Sequence, residues 1–111
     1  MNTIPQHISE LLRQKVIHIY RLPLVCKVIL YGSYAKGEAT DKSDVDVAVF
    51  FDTDKQFFLE EYRQLVKICN NAHIDFQVQA FSNRELAEPC GIIEEIIEFG
   101  IEISAAGRLL I

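Results

Sequence analysis

Apolar and polar positions follow two different periods along this chain, and each change of period marks an element. Ile8, Leu11, Leu12, Val16, Ile19 and Tyr20 recur at three- and four-residue spacings, which predicts an amphipathic helix ending near residue 20. Thr3, Pro5 and Gln6 supply its start, a T-x-x-Q capping pattern with proline in the first turn, and Arg13, Gln14 and Lys15 fall on the solvent side. Pro23 ends the pattern. The run Val25–Tyr31, with Lys27 its only charge, predicts a strand buried on both faces, and Val45–Phe51 predicts a second. Residues 32–43 between them have neither period nor apolar content and predict a turn, with room for one helical turn at 33–36, followed by a loop.

Asp52, Thr53 and Asp54 predict a turn and the start of a helix over 55–70 that buries Phe58, Tyr62, Leu65, Val66 and Cys69 and stops at Asn70 and Asn71. Over 73–81 the period becomes two. Ile74, Phe76, Val78 and Ala80 share one face, while His73, Asp75, Gln77, Gln79 and Phe81 share the other, so this is a third strand with Asp75 on its polar face. Ser82 and Glu85 form a second capping pattern opening a short helix that Pro89 ends. A last helix spans 91–99, with Ile92, Ile93, Ile96 and Ile97 set against Glu94, Glu95 and Glu98 and Gly100 as its cap. Residues 101–111 read as a short edge strand or as an arm docked on a partner. The order predicts one α/β (α+β) domain over residues 1–111, a small mixed sheet with helices covering one face.

Composition narrows the function classes. With 111 residues a single core is feasible, and the 50% hydrophobic content is concentrated near the C-terminus, which makes residues 92–111 a candidate docking surface as well as candidate core. No apolar run approaches the ~20 residues of a membrane span and no signal-peptide pattern opens the chain, so the expected setting is cytoplasmic, away from membranes. Cys26, Cys69 and Cys90 are widely spaced in apolar surroundings and read as buried thiols. They have no ligand-like spacing with His7, His18 or His73, which argues against zinc. A net charge of −5 without a basic cluster argues against extended nucleic acid as a partner.

The chemistry-bearing residues lie in the turn and at the start of the second strand. Asp44 and Asp46 are two residues apart, so on a strand both side chains leave the same face with Cα atoms about 6.5 to 7 Å apart. Such a pair suits Mg2+, which takes one or two carboxylates and completes its shell with phosphate oxygens and water. It equally suits a loop closed by Asp44 with Ser43, and D-x-D alone does not decide. Gly32 and Ser33 stand twelve residues before the pair, at the end of the first strand. Gly32 lets a phosphate approach the backbone without a Cβ in the way, and Ser33 adds a hydroxyl and an N–H. Asp75 offers a third carboxylate, and two metal ions about 3.5 to 4 Å apart would then fit.

Gly32-Ser33, Gly37, Ser43-Asp44 and Asp46 together match G-S-x-x-x-G-x(n)-S-D-x-D. The chain thereby resembles the DNA polymerase β-like nucleotidyltransferase superfamily, and within it the minimal nucleotidyltransferase (MNT) branch. The resemblance implies the nucleotidyltransferase fold and transfer of a nucleoside monophosphate from a Mg2+-bound triphosphate, ATP here, to a hydroxyl. It implies that Asp44 and Asp46 bind two Mg2+ ions, that Asp75 binds the catalytic ion or acts as base, and that Gly32, Ser33, Lys36 and Ser43 belong to the nucleotide site. Lys36 departs from the family's usual arginine, keeping the charge but losing the planar fork.

Proteins similar to this one are commonly the antitoxin halves of HEPN/MNT toxin-antitoxin pairs. The resemblance therefore implies a HEPN-type ribonuclease toxin as partner and one of its tyrosines as AMP acceptor. Two alternatives stay open: a small-molecule acceptor with a second subunit completing the site, in a homodimer or hetero-oligomer, and an antitoxin that neutralises its partner by binding alone.

Overall fold

The computed structural model describes residues 4–71 and 73–110. Strands β1 (Val25–Tyr31), β2 (Val45–Phe51), β3 (Phe76–Ser82) and β4 (Ile101–Ile103) form one sheet in the order β3-β2-β1-β4. β1 runs antiparallel to β2 and β4, and β3 runs parallel to β2, so the sheet is mixed as expected. The first two strands fall on the predicted residues and are buried on both faces at their centres.

Helices α1 (Gln6–Ile19), α2 (Gly32–Lys36) and α3 (Leu59–Cys69) cover one face. Ile8, Leu12, Val16 and Ile19 pack there with Leu65 and Cys69 on Val28, Leu30, Val47, Val49 and Val78. The Thr3 cap lies outside the described residues; α1 begins directly after Pro5, and among the described residues no side chain caps its first turn. On the opposite face Ile93 and Ile96 of α4 (Ile92–Phe99) pack on Ile29, Tyr31, Ala48 and Phe50. Alternation along β1 and β2 makes this second cluster: residues whose neighbours point to α1 point to α4 instead.

Gly100 lets α4 sit this close. A Cβ there would meet Ile96 O at 2.2 Å and Ile29 Cγ2 at 2.4 Å. Half of the apolar C-terminal region is thereby core, since Ile93, Ile96, Ile101 and Ile103 are buried, whereas Ile92, Ile97, Phe99 and Leu110 remain exposed. The segment after α4 forms the edge strand β4, tied to the end of α1 by the Tyr20 hydroxyl donating to Ile103 O at 2.8 Å.

Several expectations are corrected. α3 starts at Leu59 rather than at 55, because the Lys55 N–H is turned back onto Thr53 Oγ1 (3.3 Å) and the following residues bend. Of its predicted buried positions, Tyr62 and Val66 are 45% and 44% exposed: α3 lies over the outermost strand, β3, and its outer side faces away from the sheet. β3 starts at Phe76 rather than at 73, because Asn71 Oδ1 accepts from the N–H groups of His73 (2.9 Å) and Ile74 (3.0 Å) and holds them in a turn. The Ser82/Glu85 capping box is present, but on a single 3-10 turn, Asn83–Leu86. Cys69 is buried, but Cys26 and Cys90 are exposed; Cys26 occupies the bulge where the register shifts between Val25 and Lys27.

Candidate active site

β1 ends at Tyr31, and the chain turns directly into α2 through Gly32 at φ 72°, a left-handed conformation that side chains disfavour. Because β2 is antiparallel to β1 while β3 is parallel to β2, the end of β1 meets the beginnings of β2 and β3 at one end of the sheet. Asp46 lies at that junction. Its cross-strand neighbours are Tyr31 on β1 and Gln77 on β3, and it shares the α4 face with Ala48 and Phe50. Gly32 backs directly onto its carboxylate, where a Cβ would stand 2.2 Å from Asp46 Oδ2.

Burial pushes the Asp46 carboxyl above its ordinary pKa, and the charges of Asp44 and Glu95 add to the effect. Tyr31 is also raised, first by burial and then by Asp46, with a hydrogen bond from the Gln79 side chain to its oxygen opposing the shift. Lys36, at the last position of α2, pairs with Glu95 of α4 at 2.5 Å and stands 5.2 Å from the Phe99 ring centroid. That hydrogen bond raises the Lys36 pKa and keeps it charged.

The sequence-derived residues are gathered to different degrees. Gly32, Ser33, Asp44 and Asp46 come together at the sheet end, with Asp44 half-buried just before β2. Ser43 lies beside them, but its hydroxyl closes the loop, accepting from the Thr40 N–H at 2.8 Å. Asp75 precedes β3 instead of lying within it. Its carbonyl accepts from the Val45 N–H at 2.8 Å, which continues the β2–β3 register back to Asp44, and its side chain is exposed.

Sequence reasoning missed Tyr31, Gln79 and Glu95. The first two follow from strand register once β1, β2 and β3 are paired; Glu95 has no local signal, since only the docking of α4 brings it near.

The donor set fits a divalent cation. Burial first and the neighbouring Asp44 charge second make the Asp46 carboxylate costly, and a bound cation offsets both. Among the described residues no three His, Cys, Asp or Glu side chains are close enough to hold one ion, so Asp75 is not assembled with the pair here. Two carboxylates suffice for Mg2+ when substrate phosphates complete the shell.

Residues 9–101 match the model of the nucleotidyltransferase domain. The chain belongs to that family. Two proteins of Methanocaldococcus jannaschii, both named as candidate protein adenylyltransferases, are similar to this nucleotidyltransferase. MJ1379 is 36% identical over 89 residues, covering 80% of this chain and 87% of its own. MJ0141 is 28% identical over 79 residues, covering 69% and 77%. The crystal structure of a candidate nucleotidyltransferase from Sulfolobus solfataricus superposes with a TM-score of 0.65 at 17% identity, covering 88% of this chain and 80% of that one, and so shares the fold. Among the described residues of this nucleotidyltransferase, no helix is long and apolar enough to cross a membrane.

Proposed function

We propose that this nucleotidyltransferase moves AMP from Mg2+-bound ATP to a hydroxyl of a protein, a tyrosine of a cognate HEPN-type toxin, and acts as its antitoxin. The observation that carries the nucleotide part is the contact of Gly32 with Asp46, which packs the Gly-Ser turn directly against a carboxylate suited to a cation. The names of the relatives support a protein acceptor and AMP as the group moved. The HEPN partner rests on the resemblance to MNT antitoxins.

In this reading the N–H and hydroxyl of Ser33, held beside Asp46 by the turn at Gly32, orient the triphosphate, while Lys36 offers a cation one turn further along α2. Asp44 and Asp46 hold Mg2+, which supplies charge neutralisation on the phosphates when bound. The acceptor oxygen attacks the α-phosphorus, forming a new O–P bond as the bond to the β-phosphate bridging oxygen breaks and pyrophosphate leaves. The acceptor's proton passes to Asp75, which is exposed and lies opposite Asp44 where the β2–β3 register continues. Positioning and electrostatics supply most of the rate.

The test is transfer of radiolabel from [α-32P]ATP in the presence of Mg2+ to a co-purified HEPN-type protein. Wild type is expected to label a tyrosine of it and Asp44→Asn to label none, with both melting alike. Equal labelling by Asp44→Asn would refute the metal-dependent assignment. Labelling of a small molecule alone would transfer the assignment to that acceptor class.

A further inference from the structure

We infer that Glu95 is a built-in competitor of the nucleotide's phosphates for Lys36, and so a residue that sets the nucleotide affinity of the site; this rests on the nucleotide reading above.

Lys36 lies one turn after Ser33 on α2, so the two side chains project from the same side of the helix. The Lys36 ammonium is nevertheless already engaged: Nζ lies 2.5 Å from Glu95 Oε1, and the Phe99 ring stands beside it. Glu95 stands on α4, whose Ile93 and Ile96 pack with Tyr31 next to Asp46, and its charge acts on both Asp46 and Tyr31. Lys36 also borders a groove of about 490 Å³ lined by Ala35, Glu38, Glu98 and Phe99. Glu38 and Glu98 make that groove a poor phosphate site, and the ammonium itself is held by Glu95.

An incoming phosphate must then take the place of the Glu95 carboxylate on the ammonium. α4 need not swing away for this. Ile93 and Ile96 on either side of Glu95 are buried against the sheet, so the helix stays fixed and the exchange is a change of Glu95 rotamer. Glu95 is thus a positioning residue acting through Lys36, and its removal frees a cation for the nucleotide.

The experiment is calorimetric titration of wild type, Glu95→Gln, Lys36→Met and the double variant with α,β-methylene-ATP in the presence of Mg2+, after each variant's melting has shown that it is folded. A partly exposed ion pair sets the scale, so Glu95→Gln should tighten binding by roughly two- to fivefold. Lys36→Met should weaken it. Adding Glu95→Gln to Lys36→Met should then change affinity by less than half as much. Unchanged or weaker binding by Glu95→Gln would overturn the inference, and so would the same tightening in both backgrounds, which would make Glu95 a general repulsive charge. Absence of binding by wild type and all variants would instead overturn the nucleotide reading itself.

Discussion

Gly32 and Asp46 are matched to one another: the Asp46 carboxylate occupies the space that a Cβ on residue 32 would need, with Oδ2 2.2 Å from where that Cβ would stand. Gly32 also holds φ 72°, so an alanine meets two penalties, a left-handed backbone and a displaced carboxylate. Gly32→Ala is therefore expected to destabilise the fold by about 2 kcal/mol and to lower Mg2+-dependent transfer by about 100-fold. Chemical denaturation and initial rates check the two effects separately. In Gly32→Ala/Asp46→Ala the clash is relieved and the backbone strain remains, so part of the stability should return while activity stays lost. A fully active Gly32→Ala would show that the close approach is not needed.

The raised pKa of Asp46 makes its charge a cost to the metal-free fold. A carboxyl whose folded pKa is raised favours the fold below its ordinary value of 3.8, and that contribution is lost as pH rises through the folded pKa. At pH 7 the wild type therefore carries a penalty that Asp46→Asn removes. Because Asp46 is only half-buried, solvent screening limits the gain to about 1 kcal/mol or less, up to about 5 °C in melting temperature for a domain of this size. The difference should vanish near pH 3.8 and below. Mg2+ with a nucleotide analogue should narrow it at pH 7 by stabilising wild type alone. A variant that melts no higher than wild type at pH 7 without metal would show that the charge is no burden.

Local pattern carried much of this molecule. Val25–Tyr31 and Val45–Phe51 were legible because central strands buried on both faces are continuous apolar runs, and the Gly-Ser turn and D-x-D pair lay where those runs begin and end. What sequence did not carry is how elements dock. Tyr62 and Val66 have the helical spacing of core residues, but whether that side of α3 meets a neighbour depends on β3 being the outermost strand. Asp75 fits a period-two pattern, yet a side chain outside the pattern, Asn71, delays the strand. Glu95 reaches the site only because the opposite face of α4 is buried on Ile29 and Phe50.

The three thiols should differ in reactivity. Cys69 is buried and its pKa is raised to about 11 by burial, so thiolate is scarce and access is closed. Cys26 is exposed, but burial of its sulfur and the charge of Asp52 raise its pKa, and its Sγ–H donates to Phe50 O at 3.3 Å. Cys90 is exposed. Alkylation of the native protein at pH 8, followed by mass spectrometry, should modify Cys90 first, Cys26 more slowly and Cys69 only on unfolding. Modification of Cys69 at the rate of Cys90 would mean that α3 opens readily from the sheet.

Opposite sides of α3 provide the sharpest test of how it packs. Leu65 is fully buried between the sheet and α1, so Leu65→Ala removes contacts on every side and leaves a cavity, at an expected cost of about 2 to 5 kcal/mol. Tyr62 and Val66 lie one turn apart on the outer side, nearly half exposed, and Tyr62→Ser or Val66→Ser should each cost less than about 1 kcal/mol. Urea denaturation of the three single variants gives the comparison directly. If Val66→Ser costs as much as Leu65→Ala in the isolated protein, the outer side of α3 is covered in solution. A repeat across a range of protein concentrations then separates the causes, since self-association makes the cost fall on dilution and intrachain packing leaves it constant.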